Sequence, residues 1–300
     1  IMQNKFISPL ISLKRTNDVF SKHILSRKEH KTFLIDLLNA VIFDKGHHPE
    51  DEKILDVSLE DRVLSPLHPE DKIGILDIRA HTRKRIYTIE IQQYFEKDIG
   101  ARSYYYASKV LGGEITRGVP YHKLTPVIII NFLTHNHLST KNYHSCYHFN
   151  EDDEHSRLTD IVTFHFVEFP KMKKKVTSVM SRLEKWVTYL GAKAPAGEVI
   201  IPEDAMFKEL AEVEKVFSKD KEEMLRYEAA ERYEMDYASH MSSAEIKGEE
   251  RGIKKGLEEG RKAQALETAQ KMLQADFSLQ QIMEISGLTE AEILQFKTKA

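Results

Sequence analysis

The chain has 300 residues, 41% hydrophobic and 30% charged, with a net charge of −3 and one cysteine. This composition is typical of a soluble protein of one or two domains, and one cysteine excludes an internal disulfide. No run of 18 apolar residues occurs, which excludes a membrane-spanning helix. We expect no signal peptide and a cytoplasmic location, with no membrane partner. Residues 1–141 carry 21 basic and 17 acidic side chains, so a polyanion would meet this half.

The first half of the chain predicts a helix followed by short strands. Residues 16–43 have apolar side chains at helical spacing, and Asn17 or Asp18 can cap this helix. The next segments are a break, a strand, a proline-containing loop and the two strands of a β-hairpin, at residues 47–51, 53–61, 64–71, 72–82 and 86–94. The hairpin turn is centred on Arg83 and Lys84.

The middle of the chain predicts the rest of an α/β core. Its segments are a helix, a strand, a second strand and a helix, at residues 99–118, 125–133, 161–170 and 176–192. Residues 125–133 form a nearly continuous apolar run, which indicates a strand buried on both faces. This order of elements predicts a mixed central sheet flanked by helices.

The composition changes near residue 203, which predicts three parts: a core domain of residues 1–202, a charged helical linker or oligomerisation segment of 203–262, and a small helical unit of 263–300. The linker segment carries a glycine every fourth residue, at Gly248, Gly252, Gly256 and Gly260. Such glycines indicate either close helix packing or a frayed linker. Apolar side chains on one side of this segment allow a homo-oligomer to form through the tail; they are Ile246, Ile253 and Leu257.

The last unit predicts two short helices. Ser278 with Gln281, and Thr289 with Glu292, have the spacing of capping boxes. Gly287 stands where the first of these helices should end. The second helix begins with acidic residues, which suits a protein contact better than DNA.

The predicted hairpin carries carboxylates among its isoleucines. Glu90 and Gln92 share one strand face, and Asp77 can lie near Glu90 at the end of the hairpin away from the turn. Neighbouring carboxylates repel unless a charge compensates them, and Mg²⁺ with its oxygen ligands is a common compensation. Periodicity alone equally allows Asp77 and Glu90 to face solvent, which is the more common arrangement.

The segment ILDIRAHTRKRIYTIEIQ resembles the Asp…Glu-x-Lys signature of the PD-(D/E)XK nuclease superfamily, with Gln in place of Lys. Other segments, in order, resemble the bacterial PD-(D/E)XK nuclease family transposases, also called recombination-promoting nucleases: RTNDVFSKHIL, LLNAVI, ARSYYYASKVL, RGVPYHKLTPVIIINFL and LEKWVTYL. The glycine-containing tail also resembles that family, so the resemblance covers about residues 14–294. It implies a restriction-endonuclease-like core followed by a helical C-terminal tail.

The resemblance implies a role for each hairpin residue. Asp77 and Glu90 would bind the metal, with the main-chain carbonyl of Ile91 as a third ligand, and Gln92 would orient the attacking water by hydrogen bonds. Asp18 matches a family aspartate and would approach the site, although on local grounds it is simply a helix N-terminal residue. This chain has Ser21 where the family commonly has Lys, with Lys22 one place later, so the resemblance carries no role to Lys22.

The implied function is a metal-dependent DNA endonuclease, with Mg²⁺ as cofactor and Mn²⁺ or Ca²⁺ as alternatives. It would hydrolyse phosphodiester bonds with little sequence specificity, in recombination or mobile elements. Because the active-site Lys is absent, the alternative is a non-catalytic nuclease-like module that binds DNA or protein and oligomerises through its helical tail.

Some further side chains have two interpretations. Six basic residues can contact DNA phosphates: Lys14, Arg15, Arg83, Lys84, Arg85 and Arg102. The three in the hairpin turn, Arg83–Arg85, are equally typical of a solvent-exposed turn, which is the interpretation we favour. Tyr104–Tyr106 can stack on bases, but we expect two of the three to pack in the core. The segment HSCYH, residues 144–148, predicts a loop with incidental histidines, and Cys146 has no evident activating partner.

Overall fold

The computed structural model describes residues 13–44, 53–60, 63–64, 74–75, 77–114, 120–172, 180–191 and 202–297. Outside these ranges lie the predicted break at 47–51, most of the proline-containing loop, the last residues of the helix predicted to end at 118, and the start of the helix predicted from 176. Backbone contacts divide the chain into two compact units, residues 1–233 and 234–300. Among the described helices, none is both long and apolar enough to cross a membrane.

The described part of the chain contains eight α-helices and eight β-strands. The helices are α1 Asp18–Leu25, α2 Lys31–Phe43, α3 Ile99–Glu114, α4 Arg182–Gly191, α5 Ala205–Phe217, α6 Lys221–Gln274, α7 Leu279–Ser286 and α8 Glu290–Lys297. The strands are β1 Ser58–Leu59, β2 Val63–Leu64, β3 Gly74–Ile75, β4 Ile78–His81, β5 Ile86–Gln92, β6 Val127–Leu133, β7 His144–Asn150 and β8 Arg157–Glu168. Short 3₁₀ turns occur at Lys28–His30, Tyr121–Lys123 and Phe169–Lys171.

The prediction of one helix over residues 16–43 is wrong, because two helices occupy this segment. Asn17 caps α1, as predicted, by accepting a hydrogen bond from the backbone N–H of Val19 at 2.9 Å. The helix ends at Leu25, where the Ser26 hydroxyl bonds to the carbonyl of Lys22 at 2.6 Å. The polar segment that follows forms a 3₁₀ turn, because no apolar face continues through it.

The main sheet has six strands in the order β1-β4-β5-β6-β8-β7. The predicted hairpin is confirmed in part: β4 and β5 are antiparallel, with His81 opposite Ile86, so the turn is centred on residues 83 and 84. Its first strand is shorter than the predicted 72–82, because Gly74–Ile75 form β3, which pairs with β2 in a separate two-stranded sheet. The strands β5, β6 and β8 are parallel neighbours, and β7 runs antiparallel to β8 at one edge. The sheet is therefore mixed, as the order of elements predicted.

Helices cover both faces of this sheet. On one face, α1, α2, α4 and α5 pack their apolar side chains against those of β4, β5, β6 and β8, forming the larger core. On the other face, α3 covers a smaller core that includes Ile86 and Ile129. Every residue of β6 is buried, which confirms the prediction of a strand enclosed on both faces.

The prediction of a loop at residues 144–148 is wrong, because these residues begin the edge strand β7. Its positions facing the larger core are occupied by His144 and Cys146 instead of aliphatic residues. The strand therefore lacks the apolar alternation by which strands are recognised in a sequence.

The first compact unit extends beyond the change of composition at residue 203. Phe207, Leu210 and Phe217 of α5, and Tyr227 of α6, are buried in the larger core. These apolar side chains recur along one face of helices that are otherwise charged, so average composition obscures them.

The second unit contains the end of α6 with α7 and α8. Ile282 of α7 and Ile293 of α8 are buried with Ala269 of α6. The capping box of Ser278 with Gln281 is confirmed, and Gly287 ends α7 in the left-handed conformation with φ of 70°. α7 therefore begins and ends where the local sequence predicted, and α8 begins after Thr289, as its capping residues predicted.

Candidate active site

The side chains of Asp77 and Glu90 lie close together at the end of the β4–β5 hairpin that is away from the turn, and each accepts a hydrogen bond from the main chain of the other strand. The backbone N–H of Asp77 donates to Oε1 of Glu90 at 3.1 Å, and the backbone N–H of Ile91 donates to Oδ2 of Asp77 at 2.9 Å. Hydrogen bonds from the main chain to these side chains thus extend the pairing of the two strands beyond Ile78, the first residue of β4 and the one that pairs with Ile89 of β5. This arrangement fixes one oxygen of each carboxylate and leaves Oδ1 of Asp77 and Oε2 of Glu90 for other partners.

Glu90 is a buried carboxylate with another carboxylate beside it. Only 2% of its surface is exposed, so the solvent-facing interpretation is wrong for this residue. Burial and the negative charge of Asp77 raise the pKa of Glu90 to about 8. Burial also raises the pKa of Asp77. A cation bound beside the pair would therefore stabilise its charged form.

Two basic side chains face the two remaining carboxylate oxygens. Lys22 of α1 places Nζ 3.5 Å from Oδ1 of Asp77 and also forms an ion pair with Asp18, one helical turn earlier. Arg102 of α3 places Nη2 4.0 Å from Oε2 of Glu90. The structure thus brings Asp18 to the site through its ion pair with Lys22.

Other polar side chains lie around the pair, and Asn131 and Ser103 among them were not singled out in the sequence. Asn131 of β6 lies directly opposite Glu90 in the parallel pair and is buried. The hydroxyl of Ser103 donates to its Oδ1 at 3.3 Å, while among the described residues its Nδ2 has no hydrogen-bond partner. Gln92 is half-buried two residues beyond Glu90, and its carbonyl accepts from the backbone N–H of Thr134 at 3.1 Å.

The donors at this site fit a hard divalent cation. Carboxylate oxygens are the ligands that Mg²⁺ prefers, and the raised pKa of Glu90 means that a bound cation would relieve an unfavourable charge. In the part of the chain that the structure describes, no three His, Cys, Asp or Glu side chains group as metal ligands. The Asp77–Glu90 pair would therefore share a cation with main-chain and water oxygens, which is how Mg²⁺ is usually held. The unpaired Nδ2 of Asn131 leaves a donor for such a water.

The interpretation of Arg15 as a phosphate contact is wrong. Arg15 is buried, donates to Oε2 of Glu214 at 2.9 and 3.0 Å and to the carbonyl of Tyr189 at 2.9 Å, and stacks on the ring of Tyr189. Its partners are far along the chain, so no local pattern showed that the guanidinium joins two elements of the core.

The tyrosines of α3 divide as the sequence predicted. Tyr106 is buried in the smaller core and Tyr105 is packed against it, while Tyr104 is 54% exposed. Arg102 lies above the ring of Tyr106, with its guanidinium carbon 5.3 Å from the ring centre. Tyr104 thus presents an exposed aromatic ring on α3, and Arg102 presents a partly exposed guanidinium beside Glu90.

A chain of hydrogen bonds links histidines on the far side of the sheet. Nδ1 of His144 lies 3.0 Å from Asp44 Oδ2, and its Nε2 lies 2.9 Å from Nδ1 of His165. The Sγ of Cys146 lies 3.8 Å from Nε2 of His165, a neighbour that the sequence did not indicate. His165 is on β8, beyond the reach of a local sequence pattern. The two histidines of this Asp44–His144–His165 chain are buried, and the chain connects the edge strand β7 to β8 and to the end of α2.

The mixed sheet, its flanking helices and the long C-terminal helix define the PD-(D/E)XK nuclease-like α/β fold, with the carboxylate pair at the end of a hairpin. The family model for PD-(D/E)XK nuclease family transposases matches residues 15–244. The chain therefore belongs to this family, as its motifs indicated. No curated protein and no solved structure matches the chain.

Proposed function

We propose that the chain is a metal-dependent DNA endonuclease whose active centre is the Asp77–Glu90 pair. The observation that carries this proposal is the mutual arrangement of the two carboxylates. Backbone N–H groups fix one oxygen of each, and the other oxygens face cations at 3.5 and 4.0 Å. A purely structural pair of buried carboxylates would be costly, because like charges repel in a medium of low dielectric constant.

In this proposal Asp77 and Glu90 bind Mg²⁺, and the main-chain carbonyl of Ile91 adds a ligand. Mn²⁺ or Ca²⁺ are alternative occupants. The bound ion would polarise a phosphodiester and make its bound water more acidic. Gln92 would orient the attacking water through its amide, since an amide offers both donors and acceptors but no charge. Asp18 would act indirectly, by positioning Lys22 through their ion pair.

The surface near the carboxylates supports DNA as the substrate. Arg102 is partly exposed beside Glu90 and can contact a phosphate. Tyr104, two residues further along α3, has an exposed ring. Arg83 and Lys84 are exposed at the hairpin turn, at the other end of the hairpin from the carboxylates. These contacts would be made mostly with the phosphate backbone, so cleavage would have little sequence specificity. A role in recombination or mobile elements is in keeping with the family.

The tail of the protein would assemble a homo-oligomer. Ile246, Ile253 and Leu257 of α6 are each more than half exposed. Exposed aliphatic side chains at roughly helical spacing are typical of a helix that associates with another copy. Sedimentation velocity of the wild type and of a variant with all three changed to Gln would test this part of the proposal.

The central experiment is nicking of supercoiled plasmid by purified protein with Mg²⁺, Mn²⁺, Ca²⁺ or EDTA. The wild type should cut with Mg²⁺ and Mn²⁺ and not with EDTA. Glu90→Gln keeps the shape of the side chain and removes its charge, and it should abolish cutting. The control is Glu154→Gln, which changes an exposed glutamate between β7 and β8 and should cut like the wild type. Equal cutting by Glu90→Gln and wild type would contradict the proposal.

A second candidate function follows from Gln92. Because this position lacks the lysine of the nuclease signature, the chain could bind DNA through the same fold without hydrolysing it. Binding to a fluorescent duplex, with no cutting in any metal and no effect of Glu90→Gln on affinity, would establish this alternative.

A further inference from the structure

The Asp77–Glu90 site contains a lysine that the signature on β5 does not provide. Lys22 lies on α1, and its ammonium reaches Asp77 Oδ1 at 3.5 Å. Its side chain is 23% exposed, so solvent or a substrate can approach the same ammonium. The positive charge of Lys22 also lowers the pKa of Glu90, against the larger effect of burial. Lys22 therefore interacts electrostatically with both members of the pair.

The position of Lys22 is set by its own helix. Asn17 caps α1, Phe20 and Ile24 of α1 are fully buried in the larger core, and the turn between them brings Lys22 toward the hairpin. Asp18, at the start of the helix, forms an ion pair with the ammonium. A long lysine side chain loses rotamer freedom when it is held, and two carboxylates offset that loss at this point.

The other cation at the site is suited to a different task. Arg102 lies above the ring of Tyr106, faces Glu90 at 4.0 Å and lies 3.9 Å from Glu96. A planar guanidinium in such a setting holds phosphates or carboxylates, whereas an ammonium is a compact charge with three donors that can turn toward a reacting group.

We propose that Lys22 is a catalytic residue of this site and supplies from α1 the positive charge that Gln92 cannot supply from β5. This inference rests on the proposed endonuclease function and adds a residue to it. Water forms a bond to phosphorus, the bond from phosphorus to the bridging oxygen breaks, the water loses a proton to solvent and the leaving oxygen gains one from solvent. The ammonium of Lys22 stabilises the negative charge that grows on the non-bridging oxygens. Asp18 is a positioning residue, since it holds the ammonium by an ion pair.

The test removes the positive charge of Lys22 from α1 and places a new positive charge at position 92 on β5. Lys22→Ala should lower the nicking rate about 10²- to 10³-fold, the size of effect seen when a donor to a developing oxyanion is removed. Adding Gln92→Lys to Lys22→Ala should restore at least a tenth of the wild-type rate, because the new ammonium starts two residues from Glu90 on the same strand face. Lys28→Ala, in the exposed turn after α1, is the matched control and should cut normally.

A second readout separates catalysis from assembly of the site. Binding of Tb³⁺, measured by sensitised luminescence, should be as tight or tighter in Lys22→Ala, because a positive charge near Asp77 has been removed. If Lys22→Ala loses both Tb³⁺ binding and its folded state, Lys22 is a structural brace and the inference is overturned. Failure of Gln92→Lys to restore any rate would also overturn it.

The two proposals can fail separately. If the wild type cuts and Glu90→Gln does not, the endonuclease proposal stands, and unaltered cutting by Lys22→Ala then overturns only the role of Lys22. A wild type that cuts nothing overturns both.

Discussion

The buried charge of Glu90 should make the metal-free protein less stable as the pH rises. In the folded state its pKa is raised to about 8, chiefly by burial and then by Asp77, whereas an unfolded glutamate has its ordinary value of 4.5. The contribution of Glu90 to the free energy of unfolding is therefore fully present below pH 4.5, decreases between pH 4.5 and pH 8, and no longer changes above pH 8. Each pH unit in this range costs about 1.4 kcal/mol, so the loss at pH 7 is about 3 kcal/mol.

The change Glu90→Gln isolates this effect. Glutamine keeps the oxygen that accepts from the backbone N–H of Asp77, and it does not ionise. Relative to the wild type, the free energy of unfolding of Glu90→Gln should rise by about 3 kcal/mol between pH 5 and pH 8. Urea unfolding in EDTA can be followed by the fluorescence of Trp186, which is the only tryptophan and lies fully buried in the larger core.

A matched glutamate and a metal titration complete this experiment. Glu154→Gln, at an exposed site, should show no such pH-dependent difference from the wild type. Mg²⁺ at 100 times its dissociation constant should stabilise the wild type by about 2.7 kcal/mol and stabilise Glu90→Gln far less. If wild type and Glu90→Gln lose stability in parallel from pH 5 to pH 8, the raised pKa of Glu90 is refuted.

Three further changes test other parts of the structure. Arg15→Ala leaves the carboxylate of Glu214 buried without its partner and should lower the free energy of unfolding by about 3–5 kcal/mol, measured by Trp fluorescence; a loss below about 1 kcal/mol would contradict the buried pair. His144→Ala removes the link between Asp44 and His165 and should cost about 1–3 kcal/mol in the same assay, with unchanged stability as the opposing result. Gly287→Ala forces a Cβ into the left-handed conformation and should weaken the end of α7 by about 1–2 kcal/mol, seen as faster hydrogen exchange in that helix; unaltered exchange would refute the strained position.

Features set by nearby residues could be predicted from the sequence. The alternation in β5 placed Glu90 and Gln92 on one face, and the hairpin register placed Asp77 beside Glu90. Capping residues such as Asn17 and Ser278 act within three residues, so their spacing is visible in the sequence. The two-residue period of strands and the hydrogen bonds of helix caps depend only on residues close in the sequence, so these features could be predicted from the sequence alone.

Contacts between distant segments could not be predicted in this way. Lys22 and Asp77 are brought together by the packing of α1 on the larger core, and nothing in either segment specifies that approach. Arg15 resembled an exposed cation because its partner, Glu214, lies 199 residues later. The edge strand β7 was missed because His144 and Cys146 take the places where aliphatic residues usually indicate a strand. In each case tertiary packing decides the outcome.

The glycines of α6 give the chain a point of local unfolding. Apart from the adjacent backbone of α6 itself, no atom of the described residues lies within 4 Å of where a Cβ would stand at Gly248, Gly252, Gly256 or Gly260. Each glycine weakens the helix by about 1 kcal/mol relative to alanine, and no tighter packing against the described residues compensates. In the monomer, before another copy packs against it, this stretch should therefore open far more often than the helices buried against the sheet, and a protease that needs unfolded backbone would cut there first. Lys254 and Lys255 lie between these glycines, so limited trypsin digestion would release the terminal helical unit from a fragment that retains Asp77 and Glu90.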